Sequence, residues 1–176
     1  LHVILPVGIS FSTFQTLSYT IDVYRGRMRP TSSFSSFALY VTFFPQLIAG
    51  PILRASELVE QLERLAPLKL ANLRLGALLF LGGLLKKLLL ADHLAGIANA
   101  VYAAPAAGTG LAWYGTFAFS LQIYFDFSGY SEMAMGLGRV MGIEFMHNFK
   151  APYLSTSIRE FWRRWHISLS TWFRDY

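Results

Sequence analysis

The last part of the chain carries the residue types best suited to proton transfer. In the stretch REFWRRWHISLS, Arg159 and Arg163 are four residues apart and His166 follows three residues later. On one continuous helix these side chains and Ser170 share a face. Because imidazole titrates near neutrality, we expect His166 to act as a catalytic base that the arginine charges keep neutral. The arginines are suited to hold a phosphate or carboxylate of a substrate.

A plainer interpretation of the same residues remains open. Tryptophan and arginine also anchor helices at a membrane surface, and His166 would then be a hydrogen-bonded bystander. The helix itself is well signalled, because Ser157 and Glu160 form a capping box that predicts a start near Ile158. Its apolar face predicts an amphipathic helix at the membrane boundary and consists of Ile158, Phe161, Trp165, Leu169 and Trp172.

A second group of polar residues lies in the stretch LQIYFDFSGYSEMAMG. Gln122, Asp126 and Tyr130 recur every four residues, so they share one face of a helix. A carboxylate at membrane depth is costly unless it is paired or hydrated, which makes Asp126 a candidate site residue. We predict that these three residues, with Arg159 and Arg163, contact substrate. The alternative is a hydrogen-bond network that only ties helices together.

The composition places these residues in a membrane protein. Of 176 residues, 54% are hydrophobic and 14% charged, whereas soluble domains have about 25% charged residues. The absence of cysteine excludes disulfides and thiolate catalysis. The net charge of +5 is explained by basic loops on the cytoplasmic side, and no nucleic-acid partner is expected. We predict an all-α fold: a polytopic membrane helical bundle of the inner (cytoplasmic) membrane, with several passes.

Several hydrophobic segments are interrupted or carry polar residues. Residues 3–24 are long enough to cross the bilayer, but they are rich in Ser and Thr and belong inside a bundle. Residues 37–53 contain Pro45, Gly50 and Pro51, which predict a broken or re-entrant segment. Ser56 is the expected N-cap of an amphipathic interfacial helix. Residues 111–137 are expected to cross the membrane as a helix.

The run LGALLFLGGLLKKLLL at residues 75–90 ends in two lysines. Lys86 and Lys87 follow only eleven uncharged residues, about half of the roughly 20 that a full crossing needs. They either extend toward the membrane surface or line an internal cavity. The sequence does not decide between these positions.

The remaining histidines predict no metal site. His2, His93 and His147 have no partners at i, i+3 or i, i+4 that suggest a metal site. Because the chain begins at Leu1 and stops at Tyr176 within a helical pattern, we expect residues 1–176 to be a partial membrane domain. The N-terminal and C-terminal parts of the full protein would then be missing.

Five blocks in this order resemble the membrane-bound O-acyltransferase (MBOAT) family, in particular its bacterial branch that acylates alginate, peptidoglycan or teichoic acid. The blocks are LPVGISFSTFQTLSYTIDVYRG, FFPQLIAGPILR, GLLKKLLLAD, QIYFDFSGYSEMAMGLGRVMG and NFKAPYLSTSIREFWRRWHISLSTWFRDY. The resemblance implies a tunnel through a helical membrane protein and transfer of an acyl group, commonly acetyl, to hydroxyls of a cell-envelope polysaccharide. It implies an acyl-CoA or acyl-carrier donor as co-substrate and no bound cofactor.

The resemblance also implies that His166 is one of two histidines associated with activity. The second, which in the family is usually regarded as the more direct catalytic residue, lies on a later segment for which this chain has no position, so we expect the isolated segment to be inactive. A periplasmic transferase is a possible partner, beside the lipid bilayer, the acyl donor and the polysaccharide acceptor.

The main alternative function is a transporter or export subunit that moves an acyl carrier or polysaccharide without transferring anything. Broken helices and a buried acid fit a transporter equally well. Formation of acylated product distinguishes the two functions. A third alternative is a membrane scaffold, in which the Arg and His face tolerates substitution.

Overall fold

The computed structural model describes residues 8–47, 50–64, 67–104 and 108–176, and this part of the chain is helical without any β-strand. The all-α prediction is therefore confirmed. The eight α-helices of these residues are α1 (Ile9–Tyr24), α2 (Phe34–Val41), α3 (Ala55–Glu63), α4 (Leu70–Leu85), α5 (Asp92–Tyr102), α6 (Thr109–Val140), α7 (Ile158–Arg164) and α8 (Ile167–Asp175). Within the described ranges, no helix has both the length and the apolar character that a membrane crossing requires.

Helices α4 and α6 pack closely against each other in antiparallel orientation. Gly76 meets Gly136, and Gly83 meets Gly129, at two points seven residues apart on each helix. A Cβ atom added at Gly83 would lie 2.4 Å from the carbonyl oxygen of Gly129, which leaves no room for a side chain. The two glycine pairs therefore set the separation of the two helices.

A π-helical segment, Lys86–Ala91, joins α4 directly to α5. Lys87 Nζ lies 2.7 Å from Asp92 Oδ1 and 2.8 Å from Asp126 Oδ1 on α6, while Lys86 pairs with Glu132. Both lysines are thus used in ion pairs that connect the π-helical segment to α6. The stretch after them continues as helix α5 to Tyr102.

A second packing unit joins α1, α2 and α3. Its buried core includes Tyr40, Phe43, Leu53, Leu58 and, from the segment after α6, Ile143. Among the polar residues of α1, Gln15, Ser18 and Asp22 are buried, as expected, whereas Thr13 and Thr20 are exposed. The Tyr40 hydroxyl donates to the Gln15 carbonyl (3.0 Å) and lies 3.2 Å from the Ser18 hydroxyl.

The proline-rich segment is broken as predicted. Helix α2 ends at Val41, a single 3₁₀ turn covers Phe44–Gln46, and residues 51–54 are not helical. Residues 48 and 49 are outside the described ranges. The predicted N-cap at Ser56 is wrong, because α3 begins at Ala55 with Arg54 as its N-cap. Leu58 of its apolar face is buried as expected, whereas Leu65 is outside the described residues.

Candidate functional site

The chain breaks its helix at His166. The capping box correctly places the start of α7 at Ile158, and the Ser157 hydroxyl accepts a hydrogen bond from the Glu160 amide (3.2 Å). However, α7 ends at Arg164 and α8 starts at Ile167. His166 lies between them in the left-handed conformation, with φ 44° and ψ 55°. The predicted single helix is wrong, so the arginines and His166 do not share one helical face.

Three backbone contacts hold this break in place. The Ile167 amide donates to the Asn148 carbonyl (3.0 Å), and the Ser168 amide donates to Asn148 Oδ1 (3.1 Å). On the other side of the break, the Lys150 amide donates to the Arg164 carbonyl (2.9 Å). A left-handed backbone costs about 1–3 kcal/mol outside glycine, so it persists only where neighbouring groups impose it. Residues 148–150 impose it here.

The His166 ring lies against an aromatic cluster. Its centroid is 4.6 Å from that of Phe127 on α6, and the two planes meet at 83°. Next to it, Trp165 packs against Tyr124, Phe149, Tyr153 and Phe161. These contacts remove much of the ring from water.

Burial lowers the pKa of His166 to about 4. The ring is therefore neutral at pH 7, as predicted. However, the pKa is lowered by desolvation and not by the charge of the neighbouring arginines. Its Nε2 atom is buried and has no hydrogen-bond partner among the described residues. An uncharged imidazole with a free nitrogen is suited to accept a proton or a hydrogen bond from a substrate hydroxyl.

The predicted arginines and His166 have different surroundings. Arg159 and Arg163 are exposed, whereas His166 is largely buried. Arg164, which the sequence did not single out, instead pairs with Glu160. Hydrogen bonds from Thr156 and this pair lower the pKa of Glu160 to about 2. The exposed arginines remain free to meet an anionic group that approaches α7 from outside.

The three residues predicted to share one face of α6, Gln122, Asp126 and Tyr130, do not share one environment. Asp126 forms its ion pair with Lys87, which matches the interpretation of a polar network that ties helices together. Tyr130 lines a separate cavity of about 160 Å³ beside Phe44 and Pro45. The ring contact to His166 comes from Phe127. Gln122 is half-buried. The structure thus does not assemble the predicted residues into one cluster around His166.

The sequence analysis missed a polar group on a different face of α6. Ser128 and Ser131, together with Asn148, line a small cavity of about 50 Å³. Each of these residues is at most 2% exposed. The two serines are three residues apart, so the sequence could have predicted that they share a face of α6. Only the folded chain brings Asn148 beside them.

Comparison with known proteins identifies the family to which the chain is similar. The profile of the membrane-bound O-acyltransferase family matches residues 24–176. A probable alginate O-acetylase AlgI of Pseudomonas putida is 53% identical over 175 residues, which cover 99% of this chain and 36% of that protein. The peptidoglycan O-acetyltransferase of Helicobacter pylori is 40% identical over 203 residues, covering 100% of this chain and 38% of that protein.

A more distant relative carries a different acyl group in its name. The teichoic acid D-alanyltransferase of Bacillus subtilis is 32% identical over 176 residues, covering 97% of this chain and 44% of that protein. The chain spans about a third of the length of the alginate relatives that it matches.

Proposed function

Since the chain belongs to the membrane-bound O-acyltransferase family, we propose that the whole protein transfers an acetyl group to hydroxyls of a cell-envelope polysaccharide. The relatives are named for alginate, peptidoglycan and teichoic acid as acceptors. The 53% identity favours alginate or a similar polysaccharide. The protein would work as a multi-pass protein of the inner membrane, beside a periplasmic transferase partner.

The single observation that carries this proposal is the placement of His166 in a chain of this family: its ring packs on Phe127, and its buried Nε2 atom has no hydrogen-bond partner among the described residues. The low pKa leaves the imidazole uncharged at pH 7, so its lone pair can accept a hydrogen bond. The donor in this scheme is an acyl-CoA or acyl-carrier thioester. Arg159 and Arg163 would contact an anionic part of it because they are exposed on α7, the helix that precedes His166.

The proposed reaction is an acyl transfer with His166 as the base. The acceptor hydroxyl gives its proton to the imidazole while its oxygen forms a bond to the thioester carbonyl carbon. The carbon–sulfur bond then breaks, and the leaving sulfur takes the proton from the imidazolium. Aromatic side chains around the ring exclude water, which limits hydrolysis of the donor.

Substitution of His166 tests the proposal. In the full-length protein, His166→Ala is expected to reduce acetylation of the polysaccharide by roughly 10²- to 10⁴-fold, which is the usual contribution of a general base. His93→Ala is the matched control, because His93 is exposed. Undiminished acetylation at a normal amount of protein in the membrane would remove His166 from the mechanism.

A labelled acyl donor separates transfer from transport. The purified full-length protein is expected to produce labelled polysaccharide with a covalent ester. Protein-dependent movement of donor or polysaccharide across vesicles, without ester formation, would instead support the transporter alternative.

A further inference from the structure

The small cavity beside the His166 break has an unusual number of unused polar groups. It lies between α6 and the segment that follows that helix, and its volume is about 50 Å³. Ser128, Ser131 and Glu132 line it from α6, and His147 and Asn148 line it from the following segment. A buried water needs about 10–15 Å³ of such space, so the cavity has room for a small polar ligand.

Three of the lining groups are buried without a partner. The hydroxyls of Ser128 and Ser131 and the Nδ2 atom of Asn148 have no hydrogen-bond partner among the described residues. An unsatisfied buried donor costs about 1–3 kcal/mol. Such groups are rare in native proteins, and three around one cavity indicate that a ligand satisfies them.

The chemistry of these groups defines what the ligand offers. The Nδ2 group of Asn148 can only donate a hydrogen bond, and each serine hydroxyl can donate one as well. Glu132, the nearby carboxylate, is already neutralised by its ion pair with Lys86. The cavity therefore favours an oxygen atom that accepts hydrogen bonds.

The cavity is also connected to the proposed base. The Oδ1 atom of Asn148 holds the amide of Ser168, two residues after His166. Phe127, which contacts the His166 ring, directly precedes Ser128 on α6. The Asn148 side chain thus joins the lining of the cavity to the backbone that follows His166.

We propose that Ser128, Ser131 and Asn148 form a binding site for one carbonyl or water oxygen. Two sources supply such an oxygen: the carbonyl of the acyl donor, or an ordered water. The first source depends on the proposed function, because the donors would then stabilise negative charge that develops on the carbonyl oxygen during transfer. The second source does not depend on it.

Removal of the serine hydroxyls distinguishes an occupied site from an empty one. Ser128→Ala and Ser131→Ala are made in the full-length protein, and the apparent Tm and the transfer of labelled acetyl from acetyl-CoA are measured. Ser120→Ala is the matched control, because its hydroxyl lies on α6 but bonds to the Thr116 carbonyl within the helix. We expect both cavity variants to lower Tm by about 2 °C or more relative to the control, because a satisfied hydrogen bond is lost.

The transfer measurement identifies the source of the oxygen. If it is the donor carbonyl, acetyl transfer by the cavity variants falls at least about 10-fold in kcat, with a smaller change in KM. If it is an ordered water, Tm falls and the transfer rate stays within about twofold of wild type.

One result would contradict the proposed site, whether its ligand is the donor carbonyl or an ordered water. In an empty cavity, Ala removes an unsatisfied hydroxyl, so Tm would stay equal to that of Ser120→Ala or rise. A wild-type protein without any acetyl transfer would contradict the proposed function alone, because the Tm measurement still reports whether the cavity is occupied.

Discussion

At the scale of residues, the properties of His166 come from its backbone and its burial together. Its left-handed φ of 44° ends one helix and begins the next. Its ring then packs against Phe127 and loses contact with water, which lowers its pKa to about 4. A histidine on an exposed helical face would have neither property.

This pKa predicts how stability depends on pH. The unfolded state binds a proton on His166 near pH 6.5, whereas the folded state binds it only near pH 4. The contribution of the neutral His166 ring to the free energy of unfolding is therefore fully present above pH 6.5. It decreases as the pH falls toward 4, by at most about 3 kcal/mol. We expect His166→Gln to flatten the unfolding free energy of the full-length protein over this range, measured by denaturant titration.

The control for this prediction is His93→Gln, since His93 is exposed. That variant is expected to keep the wild-type pH slope. Equal slopes in wild type and His166→Gln would show that burial does not hold the ring neutral.

At the scale of elements, the antiparallel pair of α4 and α6 depends on glycine. The two Gly–Gly contacts allow the backbones to approach, and the π-helical segment beside Gly129 directs both lysines toward α6. The acids on α6 are partners of these lysines. Their first role is therefore to fix the two helices relative to each other.

Two neighbouring glycines provide a test of this close approach. Gly83→Ala places a Cβ 2.4 Å from a backbone oxygen, so the helices must separate, and we expect a loss of about 1–3 kcal/mol in unfolding free energy. Gly82→Ala meets no atom within 4 Å. It is expected to stabilise the helix by about 0.5–1 kcal/mol. Thermal unfolding of both variants gives the comparison, and an equal effect of the two would contradict helix–helix contact at Gly83.

At the scale of the whole molecule, the last helix, α8, packs against the first helix, α1. Trp172 on α8 packs on Phe14 at 4.6 Å between ring centroids, and its Nε1 donates to the Phe14 carbonyl (3.2 Å). The Tyr176 hydroxyl donates to Asp22 (2.7 Å), and Asp175 pairs with Arg54. These contacts join sequence positions that are more than 120 residues apart, and they anchor α8 behind His166.

Loss of this anchor is predicted to destabilise the protein. Trp172 is 8% exposed, so Trp172→Ala should cost about 3 kcal/mol or more. Trp162→Ala is the matched control in the same region. Because Trp162 is 53% exposed, its removal should change stability by about 0.5 kcal/mol or less. Denaturant unfolding of the full-length proteins measures both, and similar losses in the two variants would show that the contact between α8 and α1 adds no stability.

Local signals account for the features that the sequence predicted correctly. The capping box located the start of α7, the prolines marked the broken segment after α2, and the long apolar stretch at residues 111–137 became part of α6. Each of these depends on hydrogen bonds or sterics within a few residues, so the local sequence is sufficient. The helix break at His166 gave no such signal, because it depends on Asn148 and Lys150.

The amino-acid sequence alone determined that this chain is helical and, through the order of five blocks, that it belongs to the membrane-bound O-acyltransferase family. It also predicted His166 as a base. The tertiary structure decided the surroundings of His166: Phe127 packs on its ring, and Asn148 bonds to the backbone that follows it. The physical reason is distance along the chain. A side chain's pKa and partners depend on burial by segments far away in sequence, and helical periodicity carries no information about those segments.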